Sequence, residues 1–298
     1  LDLTIAQVLS GAGRLTKVST GTLTLNGGST YAGVTVSAGQ VTLGNVANTF
    51  PEGVILNGGT LRITANADVL GTNSLALNGG TFGPNTGART VIVPVTIGGD
   101  VTLSQGTLLN FTNSTFTLTG NRTLTVNNTV NLYSLIDETG GAQALTKAGN
   151  GTVNLYDANT YSGGTTISAG TVRVSNVTGS ATGSGTVGVS GTGTLTGTGQ
   201  VGAISSTTGG TVAPGTGVGI LAVTNSASFG AAGVYQVEMS DADTNLTAGV
   251  GVDFLNIQGA LDIPATSGSP FVIDLSSMGV SAANFDNTQT YSWVIDRK

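Results

Sequence analysis

The sequence predicts an all-β fold in which short parallel strands stack coil upon coil into a β-solenoid. Three observations predict it. Apolar residues alternate with threonine along much of the chain. Glycine-rich turns punctuate these runs every few residues. Turn motifs then return at a spacing of roughly 22 residues, inside the window that marks solenoids and arrays.

The alternation is plain in Thr22-Leu23-Thr24-Leu25, Val34-Thr35-Val36, Val41-Thr42-Leu43, Thr115-Phe116-Thr117-Leu118-Thr119 and Thr123-Leu124-Thr125-Val126. One face of each run is apolar and the other carries threonine, which reads as a half-buried strand. Threonine suits that outer face because its branched Cβ packs well on a pleated surface. Gly-Gly, Asn-Gly and Ala-Gly pairs supply the turns between. Helical spacing is absent, except for a single turn at most around Ser281 to Phe285. Leu56-Asn57-Gly58-Gly59-Thr60-Leu61 recurs as Leu77-Asn78-Gly79-Gly80-Thr81-Phe82. Ser168-Ala169-Gly170-Thr171-Val172 is echoed by Ser190-Gly191-Thr192-Gly193-Thr194. One coil of about 22 residues holds three short strands and three turns, which makes about 13 coils from the whole chain, stacked about 4.8 Å apart. Glycines fill corners where φ is positive. A β-sandwich also uses short strands and regular turns, but echoed turn motifs are not expected there.

Composition narrows the function. Among 298 residues there is no histidine and no cysteine, and 48 are glycine. Imidazole bases, Ser-His-Asp triads, disulfides, thiolate nucleophiles and Cys or His metal sites are therefore excluded. Charged residues are only 8%, with a net charge of −6. Nine scattered Lys and Arg are the wrong electrostatics for nucleic acid. No run reaches the roughly 18 to 20 apolar residues of a membrane helix, and 5% aromatics is low for the girdles of a membrane barrel. The hydrophobic fraction of 39% suffices for a core, so disorder is a poor reading. The chain opens at Leu1 without a basic n-region and apolar stretch, so the expectation is a removed signal or a piece of something longer.

The strongest internal match is longer than a coil. Residues 15–43 read LTKVSTGTLTLNGGSTYAGVTVSAGQVTL and residues 145–174 read LTKAGNGTVNLYDANTYSGGTTISAGTVRV. They share Leu-Thr-Lys, Gly-Thr, Thr-Tyr-x-Gly and Ser-Ala-Gly, with one gap after the Tyr-x-Gly. This pattern resembles the autotransporter-associated β-strand repeat, also called the passenger-associated transport repeat, of large bacterial surface proteins. The first copy departs from it by a missing glycine after Gly33 and by Val18-Ser19. Residues 183–201 resemble a glycine-rich coil pair of such proteins. Thr211-Val212-Ala213-Pro214-Gly215 resembles their Pro-Gly corner, residues 253–259 resemble a strand, and residues 285–295 resemble a segment near their C-terminus. The resemblance implies a right-handed parallel β-helix, exported to the cell surface or released, in proteins that serve as adhesins, biofilm components and stalks. It transfers no functional residues, because the repeat is a scaffold.

Each constellation has a plainer rival. Asp241, Asp243 and Asn245, near Glu238, could offer oxygen ligands to calcium, yet the EF-hand pattern is missing and a polar loop is the expectation. Asp137-Glu138 could act as acid and base, but a solvated turn is expected. Lys17 and Lys147 are repeat equivalents, read as aliphatic stems over a coil edge rather than an anion grip. Tyr31 and Tyr161 are read as corner packing rather than a sugar platform.

Residues 1–229 are expected to form the solenoid, and residues 230–298 a modified C-terminal β region with longer strands that continues or caps it. No amphipathic cap is visible at either end, and few charges guard the edges. Leu1, Leu3 and Ile5, with Tyr291, Trp293 and Ile295, are therefore candidate assembly strands. The function expected is structural, with no catalysis and no cofactor: a subunit of an extracellular bacterial filament, pairing head to tail with further copies of itself. The alternative is a monomeric adhesin or stalk segment that binds surfaces or glycans and predicts a groove along one sheet. Less favoured is a polysaccharide-cutting β-helix enzyme. Nucleic acid and membrane insertion are not expected.

Overall fold

The computed structural model describes residues 1–65, 68–241, 249–277 and 296–297. The turn expected around Ser281 to Phe285 lies outside them. The chain divides into two compact units, Leu1–Val153 and Asn154–Lys298. Each is built from short strands in parallel register, and the only helix among the described residues is a single 3-10 turn, Asp68–Leu70. The parallel β-solenoid is thus the fold, and the β-sandwich is not.

In the first unit one sheet runs through Arg14–Lys17, Gly33–Val36, Val54–Leu56, Leu75–Leu77, Val95–Ile97, Thr115–Leu118 and Leu135–Glu138. Their partners form a file, Leu15↔Val34↔Val54↔Leu75↔Val95↔Phe116↔Ile136. Successive rungs are therefore about 20 residues apart, the length of a short solenoid coil. Every member from Val34 onward is buried, because period-two alternation turns the same face of each rung inward. The second inward file runs Lys17↔Val36↔Leu56↔Leu77↔Ile97↔Leu118↔Glu138. Its two ends are charged, a device that blunts a sheet edge.

A second face stacks Leu3↔Leu23↔Val41↔Leu61↔Phe82↔Leu103↔Val126 inward. Its outer file is Thr22↔Gln40↔Thr60↔Thr81↔Thr102↔Thr125, which places the sequence's threonines on the solvent side. The third side is loop in the first turns and becomes strand from Ala88–Val91 onward, with Val91↔Phe111↔Leu132 inward. Three strands per coil therefore hold for only part of the unit, because the corner motif described below occupies the third side in the earlier turns.

The second unit begins with a long pair, Thr165–Val174 on Val187–Gly197, broken by a bulge between Ile167 and Ala169. Its turns then lengthen. Rung partners are Thr165↔Val187, Thr194↔Thr211, Thr211↔Val234, Val234↔Val272 and Leu255↔Asp296. The separation in sequence is shortest at Thr194↔Thr211 and more than doubles by Leu255↔Asp296. Insertions between rungs account for the growth, one of them closed by the antiparallel bridge Met239↔Val252. A coil of uniform length therefore does not hold, and about 11 turns stand in place of the larger number expected. At the last described rungs, Ile273 and Leu275 occupy the inward register opposite Tyr235 and Val237, yet are 48% and 57% exposed.

Candidate functional site

The repeat motif builds a corner. Asn48 is buried and serves three successive turns: its Oδ1 accepts from the Ser29 N–H at 3.0 Å, and its Nδ2 donates to the carbonyls of Asn45 and Val69, both at 2.8 Å. Asn159 repeats the device in the second unit, donating to the Ala181 carbonyl at 2.5 Å. A turn in a buried corner leaves backbone groups without strand partners, and one side-chain amide satisfies several of them. The aromatic two residues on closes the corner. Tyr31 packs on Phe50 of the next turn, centroids 5.2 Å apart. Tyr161 is fully buried, with its hydroxyl 2.5 Å from the Thr165 hydroxyl. Burial pushes the Tyr31 hydroxyl up to about 12, against a smaller opposing pull from Ser29. It raises Tyr161 also. Neither ring offers itself as a platform.

The two repeat lysines cap the turn that follows their strand. Lys17 Nζ donates to the carbonyls of Ser19 and, at 3.3 Å, Thr20. Lys147 Nζ donates to Ala148 O at 3.0 Å and Gly149 O at 2.7 Å. The stem of Lys147 does not lie over a coil edge as expected. It occupies an inward register position, opposite Leu124, and is 2% exposed. Burial draws its pKa down to about 8.

Two arginines tie turns that are not neighbours. Arg14 crosses Gly33 to reach Val34 O, Gly53 O and the Glu52 carboxylate, at 3.1, 3.2 and 3.2 Å. Arg62 reaches Ser104 O at 2.9 Å and passes over Gly83, where an added Cβ would lie 2.0 Å from that same oxygen. Both glycines make room for a side chain that spans two turns.

Other expected residues fare differently. Leu1 and Leu3 are exposed and Ile5 half-buried, on or beside the strand Leu3–Ile5 that pairs with Thr22–Leu25. Tyr291, Trp293 and Ile295 lie outside the described residues, as do Asp243 and Asn245. Asp241 is described, with its N–H donated to Gly251 O at 3.2 Å. Among the described residues no group of three or more His, Cys, Asp or Glu could hold a metal ion. Asp137 and Glu138 end the strand Leu135–Glu138 rather than sitting in a turn, because Thr117 and Leu118 offer them a parallel partner. Glu138 Oε2 accepts from the Gln143 N–H at 2.5 Å. Sequence reasoning missed Asp253. It is buried, and its two oxygens accept from Gly219 N–H at 2.8 Å and Glu238 N–H at 2.7 Å. Burial, with Glu238 adding its repulsion, pushes it up to about 7 against the pull of those two N–H groups.

These residues serve the coil itself: amides, amines and guanidinium groups are spent on backbone carbonyls and N–H groups. The arrangement defines a structural β-solenoid built from repeats. The family model described as the passenger-associated-transport-repeat matches residues 15–43, 38–63 and 145–174. Two matches are the copies read from the sequence. The third overlaps the end of the first copy, and Asn48-Thr49-Phe50 and Gly59-Thr60-Leu61 carry its signal with Phe in place of Tyr. No curated protein matches the chain. Repeats and parallel solenoid together suggest a passenger-type surface protein of the autotransporter kind, and the matched repeat is itself structural rather than catalytic. No helix of the described residues is long and apolar enough to cross a membrane.

Proposed function

We propose that this chain is a mechanical scaffold at the bacterial surface, a stalk segment whose stacked turns resist unfolding and proteolysis without disulfides. The observation that carries this reading is the unbroken register of the first unit's sheet, in which each turn contacts the next through the same inward files. Such a stack is modular, since the strands of each repeat pair only with those of its neighbours, and only side chains such as Arg14 and Arg62 reach a turn further. Deleting residues 95–115 in frame removes one turn and puts Phe116 where Val95 stood. The expected result is a protein that keeps its β-type circular dichroism and cooperative melting, shorter by about 4.8 Å. Loss of the melting transition would overturn the modular reading.

The finer reading is a filament in which copies stack end on. Leu1 and Leu3, exposed on the outer edge of the first rung, support it as a surface that accepts a further strand. Negative-stain electron microscopy across a concentration series separates the cases. Filaments that lengthen with concentration support assembly. Particles of constant size at every concentration leave the stalk alone.

A further inference from the structure

The outer face of the second unit is not flat. A groove of about 470 Å³ lies across it, within the range of about 300 to 1,000 Å³ typical of ligand sites. Its floor is the solvent side of four successive rungs, Thr165–Val174, Val187–Gly197, Thr211–Pro214 and Val234–Met239. Thr171, Thr194 and Thr196 line it with hydroxyls, Gln236 with an amide and Glu238 with a carboxylate. The register Thr171↔Thr194 sets two of these hydroxyls in line with the stack, and Thr196 stands in the next outward file, opposite Arg173 and Ala213.

The wall is the turn at Gly215 to Gly217, and it is built rather than loose. Gly197 and Gly215 exchange N–H···O bonds of 2.9 and 2.8 Å, and the Thr196 hydroxyl donates to Gly215 O at 2.6 Å. Gly215 and Gly217 hold φ of +86° and +113°, a conformation that favours glycine. Asp253, fully buried, grips Gly219 beyond the wall and Glu238 on the floor through their N–H groups. A buried carboxylate is costly, and here it ties together the two sides of the groove.

The chemistry of the lining selects the ligand. Threonine hydroxyls both donate and accept, as sugar hydroxyls do. The one charge among the lining residues is Glu238, and the exposed Arg173, opposite Thr196 on the same face, offsets it, so the groove carries no excess charge to select an anion. A lone carboxylate falls short of the roughly six to eight oxygens of a calcium site. A peptide strand needs an open sheet edge, whereas this floor is a sheet face whose backbone is already paired. Rungs repeat about every 4.8 Å, close to the repeat of sugars in an extended glycan.

We propose that this groove binds an extended, uncharged oligosaccharide lying along the stack. Thr194 and Gln236 exchange hydrogen bonds with its hydroxyls, while Thr196, whose own proton goes to Gly215 O, and Glu238 accept from them. The proposal stands apart from the scaffold reading, and deletion of residues 95–115 leaves the groove's own residues untouched.

The test is titration of the full chain with cellohexaose and chitohexaose, with hexagalacturonate as the anionic comparison, followed by calorimetry and amide NMR. At least one neutral hexamer should bind saturably, moving the resonances of Thr171, Thr194 and Gln236 and leaving those of the first unit in place. The double variant Thr194→Val/Gln236→Leu should weaken binding at least ten-fold with an unchanged melting temperature, and Glu238→Gln should narrow the discrimination against hexagalacturonate. Should the double variant melt early, the resonance map of the unaltered chain decides. The proposal is overturned if neither neutral hexamer binds saturably, if shifts fall outside the groove, if a stable double variant binds as the parent does, or if hexagalacturonate binds equally well.

Discussion

Single residues set how this protein answers to pH. Lys147 is buried with its pKa drawn from an ordinary 10.5 to about 8. Between those values the unfolded chain holds a proton that the folded chain has lost, so stability rises with pH across that window. Melting curves of the parent should climb from pH 8 to 10.5, and those of Lys147→Met should lack this climb. Asp253 acts in the opposite sense. Its pKa is raised from 3.8 to about 7, so the folded chain holds the extra proton and stability falls as pH rises through that range. Asp253→Asn should flatten this fall, measured as urea midpoints from about pH 4 to 7. Neither behaviour was legible in the sequence. Lys147 reads there like Lys17, which also holds an inward register position; Lys17 lies on the first rung of its sheet, whereas Lys147, opposite Leu124, is covered by a rung on either side. Asp253 reads there as the start of a strand, and only the fold brings Gly219 and Glu238 to its two oxygens.

Elements are held by corners as much as by strands. Asn48→Ala should cost about 1–3 kcal/mol, the penalty for buried backbone groups left without partners, read from the urea midpoint. Gly59 makes a second kind of corner. Its φ is +68°, and an added Cβ would lie 2.4 Å from Gly39 O on the turn below. Gly59→Ala should therefore destabilise by about 1–3 kcal/mol, and more than the same change at Gly13, where a Cβ meets nothing within 4 Å. Gly-Thr echoes in the sequence announced the glycine corners, because their spacing is that of the turn. The roles of Asn48 and Asn159 were not legible, because only the stacking brings backbone groups of other turns within reach of one amide. The arginine ties were not legible either: Arg62 and Ser104 are 42 residues apart, and nothing local links them.

At the scale of the whole molecule, local stability should follow how well each turn is covered. Inward residues from Val34 to Ile136 in the first unit's sheet are buried, whereas Leu261, Ile263, Ile273 and Leu275 near the end of the second are 38 to 57% exposed. Amides with fewer buried apolar neighbours open more readily. Hydrogen exchange should therefore be slowest in strands such as Val54–Leu56 and Val95–Ile97, and faster by orders of magnitude in Val272–Ser277. Equal protection along the chain would contradict the coverage argument. Turns that lengthen from rung to rung leave no fixed period to detect, which is why a coil of uniform length misjudged the second unit.

By itself the sequence determined that the first unit's turns stack on their own repeats, which face of each strand points inward, and where corner glycines fall. Alternation of apolar residues with threonine dictates which side chain faces the core once a strand forms. Recurrence of the turn motifs dictates that rungs stack on their own repeats. These are local and periodic properties, and a chain carries them in order. Tertiary structure alone decided which polar groups lie inside: Lys147 among apolar rungs, Asp253 between two N–H groups, Arg62 across Gly83. It also decided that the outer face of the second unit is hollowed. Those outcomes depend on which turn lies over which, and turns of unequal length bring together residues whose separation in the chain follows no rule.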